Sequence, residues 1–82
     1  MHIVSTLQRY LQTELGVADA ERLDSDFALL REGIIDSLDV MRLVDFMERE
    51  FGIRVDGTDL MPANFRSLDA MARYVARKQN DR

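Results

Sequence analysis

Apolar residues recur at helical spacing near the start of the chain. Five of them fall on one face of a helix: Ile3, Val4, Leu7, Leu11 and Leu15. Gly16 follows this run, and glycine is the residue that most often ends a helix. The spacing therefore predicts a first helix over about residues 3–15.

A second and more regular apolar stripe follows Ser37. At 100° per residue, one narrow face contains Val40, Leu43, Val44, Met47 and Phe51. Gly52 ends the run, and Asp36 fits the N-cap because its carboxylate can accept hydrogen bonds from the free amides of the first turn. Asp39 adds negative charge near the positive end of the helix dipole. The pattern predicts a second helix over residues 37–51, with the Ser37 hydroxyl at its mouth.

The remaining segments give weaker signals, apart from a last helix. Residues 17–36 mix charged and apolar side chains without a period, which predicts a long loop whose apolar residues pin it to the core. Residues 53–55 alternate like a strand that is too short to pair alone, and residues 59–65 are irregular with one short helical turn. Ser67 fits the cap of a last helix, with Lys78 near its negative end. Its apolar repeat consists of Leu68, Met71, Ala72 and Val75.

These segments predict an all-α fold: a small four-helix bundle of three main helices and one short helix, with a long loop between the first two. The chain has 82 residues, of which 46% are hydrophobic and 32% are charged, so we expect a single domain over residues 1–82. No internal repeat or low-complexity tract interrupts it. A multidomain enzyme is excluded.

Charge and composition exclude several function classes. There is no cysteine, which excludes disulfides, thiolate zinc sites and thiol nucleophiles. A net charge of −4 disfavours attraction to nucleic acid or anionic lipid. No apolar stretch approaches the roughly 18 residues of a membrane span, and the N-terminus lacks the pattern of a signal peptide. We therefore expect a cytoplasmic protein without a nucleic-acid partner or a membrane span.

Metal binding is also disfavoured. The acidic segments 24–26 and 56–59 begin like calcium loops but lack the third ligand, the glycine and the distal glutamate of an EF-hand. His2 has no neighbouring ligands at suitable spacing. We expect no metal site.

The most informative stretch is residues 33–39, an acidic loop that delivers Ser37 to the first position of a helix. Asp and Ser are ordinary helix-start residues, so the interpretation that they form only a cap stays open at this point. Leu38 falls on the side opposite the buried stripe, and Met41 lies at the stripe's edge. The charged residues on the same outward side are Arg42, Asp45 and Arg49. Exposed apolar side chains beside a displayed hydroxyl indicate a docking patch.

With these residues in place, the chain resembles the phosphopantetheine-binding carrier proteins, which include acyl carrier proteins and peptidyl or aminoacyl carriers. The resemblance covers residues 29–40, 43–53 and 59–68. Its motifs are Asp36-Ser37-Leu38, Phe51-Gly52-Ile53 after the second helix, and Phe65-Arg66-Ser67-Leu68 before the last. The resemblance implies that Ser37 carries a 4′-phosphopantetheine arm, added from coenzyme A by a phosphopantetheinyl transferase. Acyl or aminoacyl groups would then be bound to the arm's thiol as thioesters.

The resemblance also implies the surrounding site. Asp36 and Asp39 would shape the attachment point, and the residues that would contact partners are Leu38, Met41, Arg42, Asp45 and Met61. Met61, Phe65 and Ile53 would border a groove for the cargo. The partners would be the transferase, a loading enzyme that is an adenylating ligase or an acyltransferase, and downstream acyl-processing enzymes. We expect a monomer with no catalytic residue, since no base for Ser37 is discernible.

Two arginines depart from the family pattern. Arg42 and Arg49 stand where fatty-acid carriers commonly present acids to basic partner faces. They argue against primary fatty-acid synthesis and favour a specialised biosynthetic pathway or an aminoacyl carrier, as does Ile34-Ile35 before Asp36. The alternative is a non-catalytic helical interaction module in which Ser37 is only a helix-start residue. A serine hydrolase is disfavoured because no base or oxyanion arrangement is discernible.

Overall fold

In the computed structural model, which describes residues 2–81, helices are joined by irregular segments and no strand occurs among these residues. The α-helices are α1 (Ile3–Thr13), α2 (Ser37–Phe51), α3 (Pro62–Phe65) and α4 (Leu68–Asn80). Single turns of 3-10 helix lie at Ala20–Arg22 and Gly57–Asp59. The predicted all-α fold, with three long helices and one short one, is confirmed. None of the helices within residues 2–81 has both the length and the apolarity that crossing a bilayer requires.

The end of α1 differs from the prediction, because the helix stops at Thr13 instead of continuing to residue 15. The amide of Leu15 donates to the carbonyl of Tyr10 at 3.3 Å, and the amide of Val17 donates to that of Leu11 at 2.9 Å. These bonds reach back further than the four-residue step of an α-helix, so the last turn widens. The chain then leaves the helix through Gly16, whose φ is 70°.

The core lies where the three long helices meet. Its large fully buried side chains on the α-helices are Leu7 and Leu11 of α1, Leu43 and Met47 of α2, Phe65 of α3, and Leu68, Met71, Tyr74 and Val75 of α4. These are mainly the positions at which the apolar repeats of the sequence recur. The tight packing of α4 through five buried residues makes it the helix against which the other elements are placed.

Buried side chains and backbone hydrogen bonds both fix the long loop between α1 and α2 to this core. Leu29 and Ile35 are buried, as the apolar pattern predicts, although Phe27 and Ile34 are partly exposed. Two backbone hydrogen bonds of 2.7 Å reinforce the anchoring: the amide of Leu29 donates to the carbonyl of Arg66, and the amide of Asp69 donates to the carbonyl of Ser25. The loop is therefore fastened to the segment in which α3 ends and α4 begins.

An aromatic contact holds α1 against α2. The Tyr10 ring stacks on Phe46 with a centroid distance of 4.1 Å, and the Tyr10 hydroxyl donates to the carbonyl of Arg42 at 3.2 Å. Burial, followed by the charge of Glu14, raises the pKa of the Tyr10 hydroxyl, so it keeps its proton and this hydrogen bond to a higher pH than a free tyrosine does. The side of α2 that faces α1 is therefore committed to packing.

A polar cluster, which we call the Asp59 latch, ties the segment before α3 to α4. The Tyr74 hydroxyl donates to Asp59 Oδ2 at 2.8 Å, and Lys78 Nζ lies 3.1 Å from the same oxygen. Lys78 also lies 3.2 Å from Asp56. The Tyr74 hydrogen bond, and after it the Lys78 ammonium group, lower the pKa of Asp59. The latch therefore consists of an ionised carboxylate with two donors from α4.

We predict that Asp59→Asn lowers the free energy of unfolding at neutral pH and flattens its acid dependence. A lowered pKa in the folded state stabilises the fold above the unfolded pKa of about 3.9, and this contribution is lost as the pH falls through the folded pKa. Denaturant unfolding at a series of pH values measures the difference. Asp24→Asn, which removes an exposed loop carboxylate outside the latch, should keep the wild-type profile. Equal slopes for wild type and Asp59→Asn below about pH 4 would contradict the prediction.

Candidate functional site

The start of α2 is held by a reciprocal cap between two aspartates. Asp36 Oδ1 accepts from the amide of Asp39 at 2.9 Å, and Asp39 Oδ2 accepts from the amide of Asp36 at 3.1 Å. The predicted N-cap role of Asp36 is confirmed, and the return bond from Asp39 completes a capping box. Because both aspartates are engaged in fixing the backbone, Ser37 is set as the first residue of the helix.

A closed turn before the cap determines how the chain enters α2. The amide of Ile34 donates to the carbonyl of Leu29 at 2.9 Å, and the amide of Gly33 donates to that of Leu30 at 3.1 Å. This is the bonding pattern of a Schellman motif, and Gly33 has the φ of 75° that the motif requires. Ile35 then returns to the core. The chain thus rises from a buried residue to the surface within two positions.

Ser37 is exposed at the end of this rise. The hydrogen bonds within residues 2–81 do not include its hydroxyl. No histidine, lysine or carboxylate side chain in this part of the chain is therefore bonded to it as a base, and an unassisted serine hydroxyl is a weak nucleophile. The arrangement suits a serine that is modified by another protein and does not suit a catalytic serine.

Beside Ser37 lies an apolar cleft of about 290 Å³, which we call the Ser37 cleft. Its walls are formed by Leu30, Ser37, Val40, Met41, Leu60, Met61, Pro62 and Phe65. From α2 it receives Ser37 with the residues three and four positions later, which share a helical face. The serine is the single polar side chain among these lining residues. A hydroxyl at the wall of an apolar cleft can hold a covalent group whose attached chain finds apolar surface nearby.

The structure brings together only part of the groove expected from the sequence. Met61 and Phe65 line the Ser37 cleft, but Ile53, which is buried in the core, does not. Leu30 and Leu60 also line the cleft. The sequence did not predict this, because each lies in an irregular segment, where no apolar period indicates which way the side chain points. A sequence signal for this wall of the cleft was Pro62 at the first position of α3, because a proline at that position favours the start of a helix.

The side of α2 opposite its buried stripe faces outward. We call the exposed residues there, with Met41 at the edge toward the Ser37 cleft, the outer face of α2: Leu38, Met41, Arg42, Asp45 and Arg49. Leu38 is 63% exposed and Met41 is 52% exposed, which confirms the predicted orientation of the helix. Asp45 and Arg49 form an exposed ion pair of 3.1 Å, which contributes little to stability. The ion pairs within residues 2–81 do not include Arg42. The outer face therefore offers two apolar side chains and a cation to a partner.

The carboxylates of one calcium-like segment, residues 56–59, have a cation as their partner. Asp56 and Asp59 bind Lys78 in the Asp59 latch. Across residues 2–81, no three histidine or carboxylate side chains come together in a group that could hold a metal ion.

Comparison with known proteins relates the chain to one family. A family model described as "Phosphopantetheine attachment site" matches residues 5–75. The chain is 30% identical to the "Probable acyl carrier protein PigG" of Serratia sp. (strain ATCC 39006) over 73 residues, which cover 89% of this chain and 84% of that protein. It is 32% identical to the "Acyl carrier protein" of Nitratidesulfovibrio vulgaris (strain DSM 19637 / Miyazaki F) over 79 residues, which cover 96% and 100%.

The geometry of the cap separates the roles of Asp36 and Ser37. We predict that Asp36→Ala lowers the free energy of unfolding by about 1 kcal/mol, because the cap to Asp39 is lost. Ser37→Ala should change it by less than about 0.5 kcal/mol, since the hydroxyl makes no hydrogen bond within residues 2–81. Urea denaturation of the two variants measures both effects. A larger loss for Ser37→Ala than for Asp36→Ala would show that the hydroxyl is structural.

Proposed function

Because the chain belongs to the phosphopantetheine attachment family, whose members are carrier proteins and not enzymes, we propose that Ser37 bears a covalent 4′-phosphopantetheine arm. The family carries this group covalently. The observation that carries the assignment to Ser37 is its exposed hydroxyl, free of hydrogen bonds within residues 2–81, at the first position of α2 and on the wall of the Ser37 cleft.

The residues around Ser37 fit such a group. The cap uses the amide of Asp39, which leaves the amides of Ser37 and Leu38 without an intrahelical acceptor. These amides and the positive end of the helix dipole favour a phosphate at this position. Asp36 and Asp39 support the site by fixing the backbone, because their carboxylates are occupied by each other's amides. The terminal thiol of the bound group supplies the site for thioesters.

In the attachment reaction Ser37 acts as a substrate. Its hydroxyl proton passes to a base of the phosphopantetheinyl transferase, since no base is bonded to it within residues 2–81. The Ser37 oxygen then bonds to the phosphorus of the phosphopantetheine moiety of coenzyme A, and adenosine 3′,5′-bisphosphate leaves. The modified protein shuttles acyl or aminoacyl thioesters from a loading enzyme, either an adenylating ligase or an acyltransferase, to enzymes that process them.

The outer face of α2 is the surface on which we propose that these enzymes dock. Leu38 is positioned next to Ser37 and Met41 one turn later, so a partner that reaches the serine meets both apolar side chains. Met61, which is 48% exposed, extends this apolar surface across the Ser37 cleft. Such exposed apolar side chains supply the contact area from which binding energy arises.

The charge of the outer face narrows the kind of partner. Arg42 presents a cation without an ion-pair partner within residues 2–81, and Arg49 adds a second cation that pairs with Asp45, so a complementary partner surface carries acids. This supports a specialised biosynthetic pathway over primary fatty-acid synthesis. We propose that the carrier is a monomer and that it works in the cytoplasm, whose reducing conditions are compatible with a chain that has no cysteine.

Modification of Ser37 is tested by mass spectrometry after incubation with coenzyme A and a transferase of broad specificity. The wild-type chain should gain one phosphopantetheinyl group, and Ser37→Ala should gain none. Ser25→Ala removes an exposed serine elsewhere in the long loop and should be modified like the wild type. An unmodified wild-type chain, under conditions that label a control carrier, would favour the interaction-module alternative.

The docking role of the outer face is tested by Leu38→Glu. We expect the second-order rate constant of modification to fall about tenfold, which corresponds to about 1.4 kcal/mol of lost binding. Stability should change by less than about 0.5 kcal/mol because the side chain is 63% exposed. Arg54→Gln, which changes the charge by the same −1 at an exposed position outside the outer face, is the matched control. Equal rate constants for both variants would exclude the docking role.

A further inference from the structure

A second and larger cleft, which we call the arginine cleft, adjoins the Ser37 cleft. It has a volume of about 700 Å³, within the range of small-molecule sites. Its walls are formed by Asp26, Ala28, Leu30, Arg31, Pro62, Arg66, Ser67, Asp69 and Arg73. Leu30 and Pro62 line both clefts, so the two are neighbours across this pair of side chains.

The walls of the arginine cleft are held together by backbone bonds. The amide of Leu29, two residues before Arg31, donates to the carbonyl of Arg66 at 2.7 Å. The amide of Asp69 donates to the carbonyl of Ser25 at 2.7 Å. These bonds join the long loop to the segment between α3 and α4 on which the cleft is built. Arg31 and Arg66, which are 35 positions apart in the sequence, are thereby brought to one site.

The arginines of this cleft differ in their partners. Arg73 forms an ion pair with Asp69 at 3.0 Å. The ion pairs within residues 2–81 include neither Arg31 nor Arg66, although Asp26 also lines the cleft. Three arginines against two aspartates make the lining cationic in a chain whose net charge is −4. The guanidinium group is a planar donor that suits a carboxylate or phosphate.

The order of the two clefts indicates the shape of the ligand. An acyl group on the arm that enters the Ser37 cleft first meets its apolar lining. Past Leu30 and Pro62 it then meets Arg31 and Arg66, which have no ion-pair partner within residues 2–81. The ligand that matches this sequence of surfaces has an apolar chain that ends in an anion. We propose that Arg31 and Arg66 bind the terminal carboxylate of a dicarboxylic acyl group. As a statement about cargo, the proposal rests on the attachment of the arm to Ser37.

The test uses the full chain loaded by a transferase with adipyl-coenzyme A or, as the neutral match, hexanoyl-coenzyme A. The NMR signals of the Arg31 and Arg66 guanidinium N–H groups should shift with the adipyl group and stay in place with the hexanoyl group. A carbon label in the terminal carboxylate should titrate about one pH unit lower in wild type than in the double variant Arg31→Gln/Arg66→Gln, because two nearby cations favour the ionised form. Arg54→Gln, an exposed arginine outside both clefts, should behave like wild type.

A second experiment adds free adipate to the unmodified chain and separates the two sources of the carboxylate. Shifts that require the arm support a tethered cargo, and equal shifts with free adipate would assign the cleft to a soluble dicarboxylate and overturn the cargo assignment. If neither experiment shifts the NMR signals of the two arginines, the cleft does not recognise carboxylates and the inference fails. A chain that gains no mass at Ser37 would instead refute the attachment proposal, while the experiment with free adipate would still test the cleft.

Discussion

The position of Ser37 depends on the burial of two side chains in the loop before it. Leu29 and Ile35 are both buried, and each contributes on the order of 1.5–3 kcal/mol when withdrawn from water. Between them the chain closes a turn through Gly33, so the two anchors bracket a segment of fixed length. Ser37 follows the second anchor by two positions and must emerge where α2 begins. Without these anchors, α2 would keep its cap and its packing through Leu43 and Met47, but the segment that leads to Ser37 would not be held to the bundle.

Two serines at helix starts show how the cap decides the fate of a hydroxyl. Ser67 is itself the N-cap of α4, and its oxygen accepts from the amide of Ala70 at 3.1 Å in a buried setting. At α2 the capping role belongs to Asp36, so Ser37 is displaced by one position into the helix and its oxygen is left for other chemistry. The difference between a structural and a modifiable serine is therefore one residue of register relative to the cap.

The helices were predictable because their apolar periods record which side faces the core, and the orientation of Leu38 on α2 followed from the same argument. The Ser37 cleft was predicted only through Met61 and Phe65, since Leu30 and Leu60 lie in irregular segments where side-chain direction depends on tertiary contacts. Lys78 illustrates the same limit. Its place near the end of α4 agreed with a favourable dipole interaction, but its carboxylate partners come from the distant segment before α3. Sequence patterns predict local geometry but do not predict such long-range pairings.

The two walls of the Ser37 cleft are stabilised by different forces. On the α2 side, Leu43 and Met47 are fully buried and fix the helix through apolar packing. The other wall, residues 57–65, is held by the Asp59 latch and buries Phe65 alone. Partly exposed polar contacts contribute less than core burial, so this wall is held less strongly than α2. We therefore expect residues 57–65 to move more readily than α2, whose buried side chains keep Ser37 and the outer face in place.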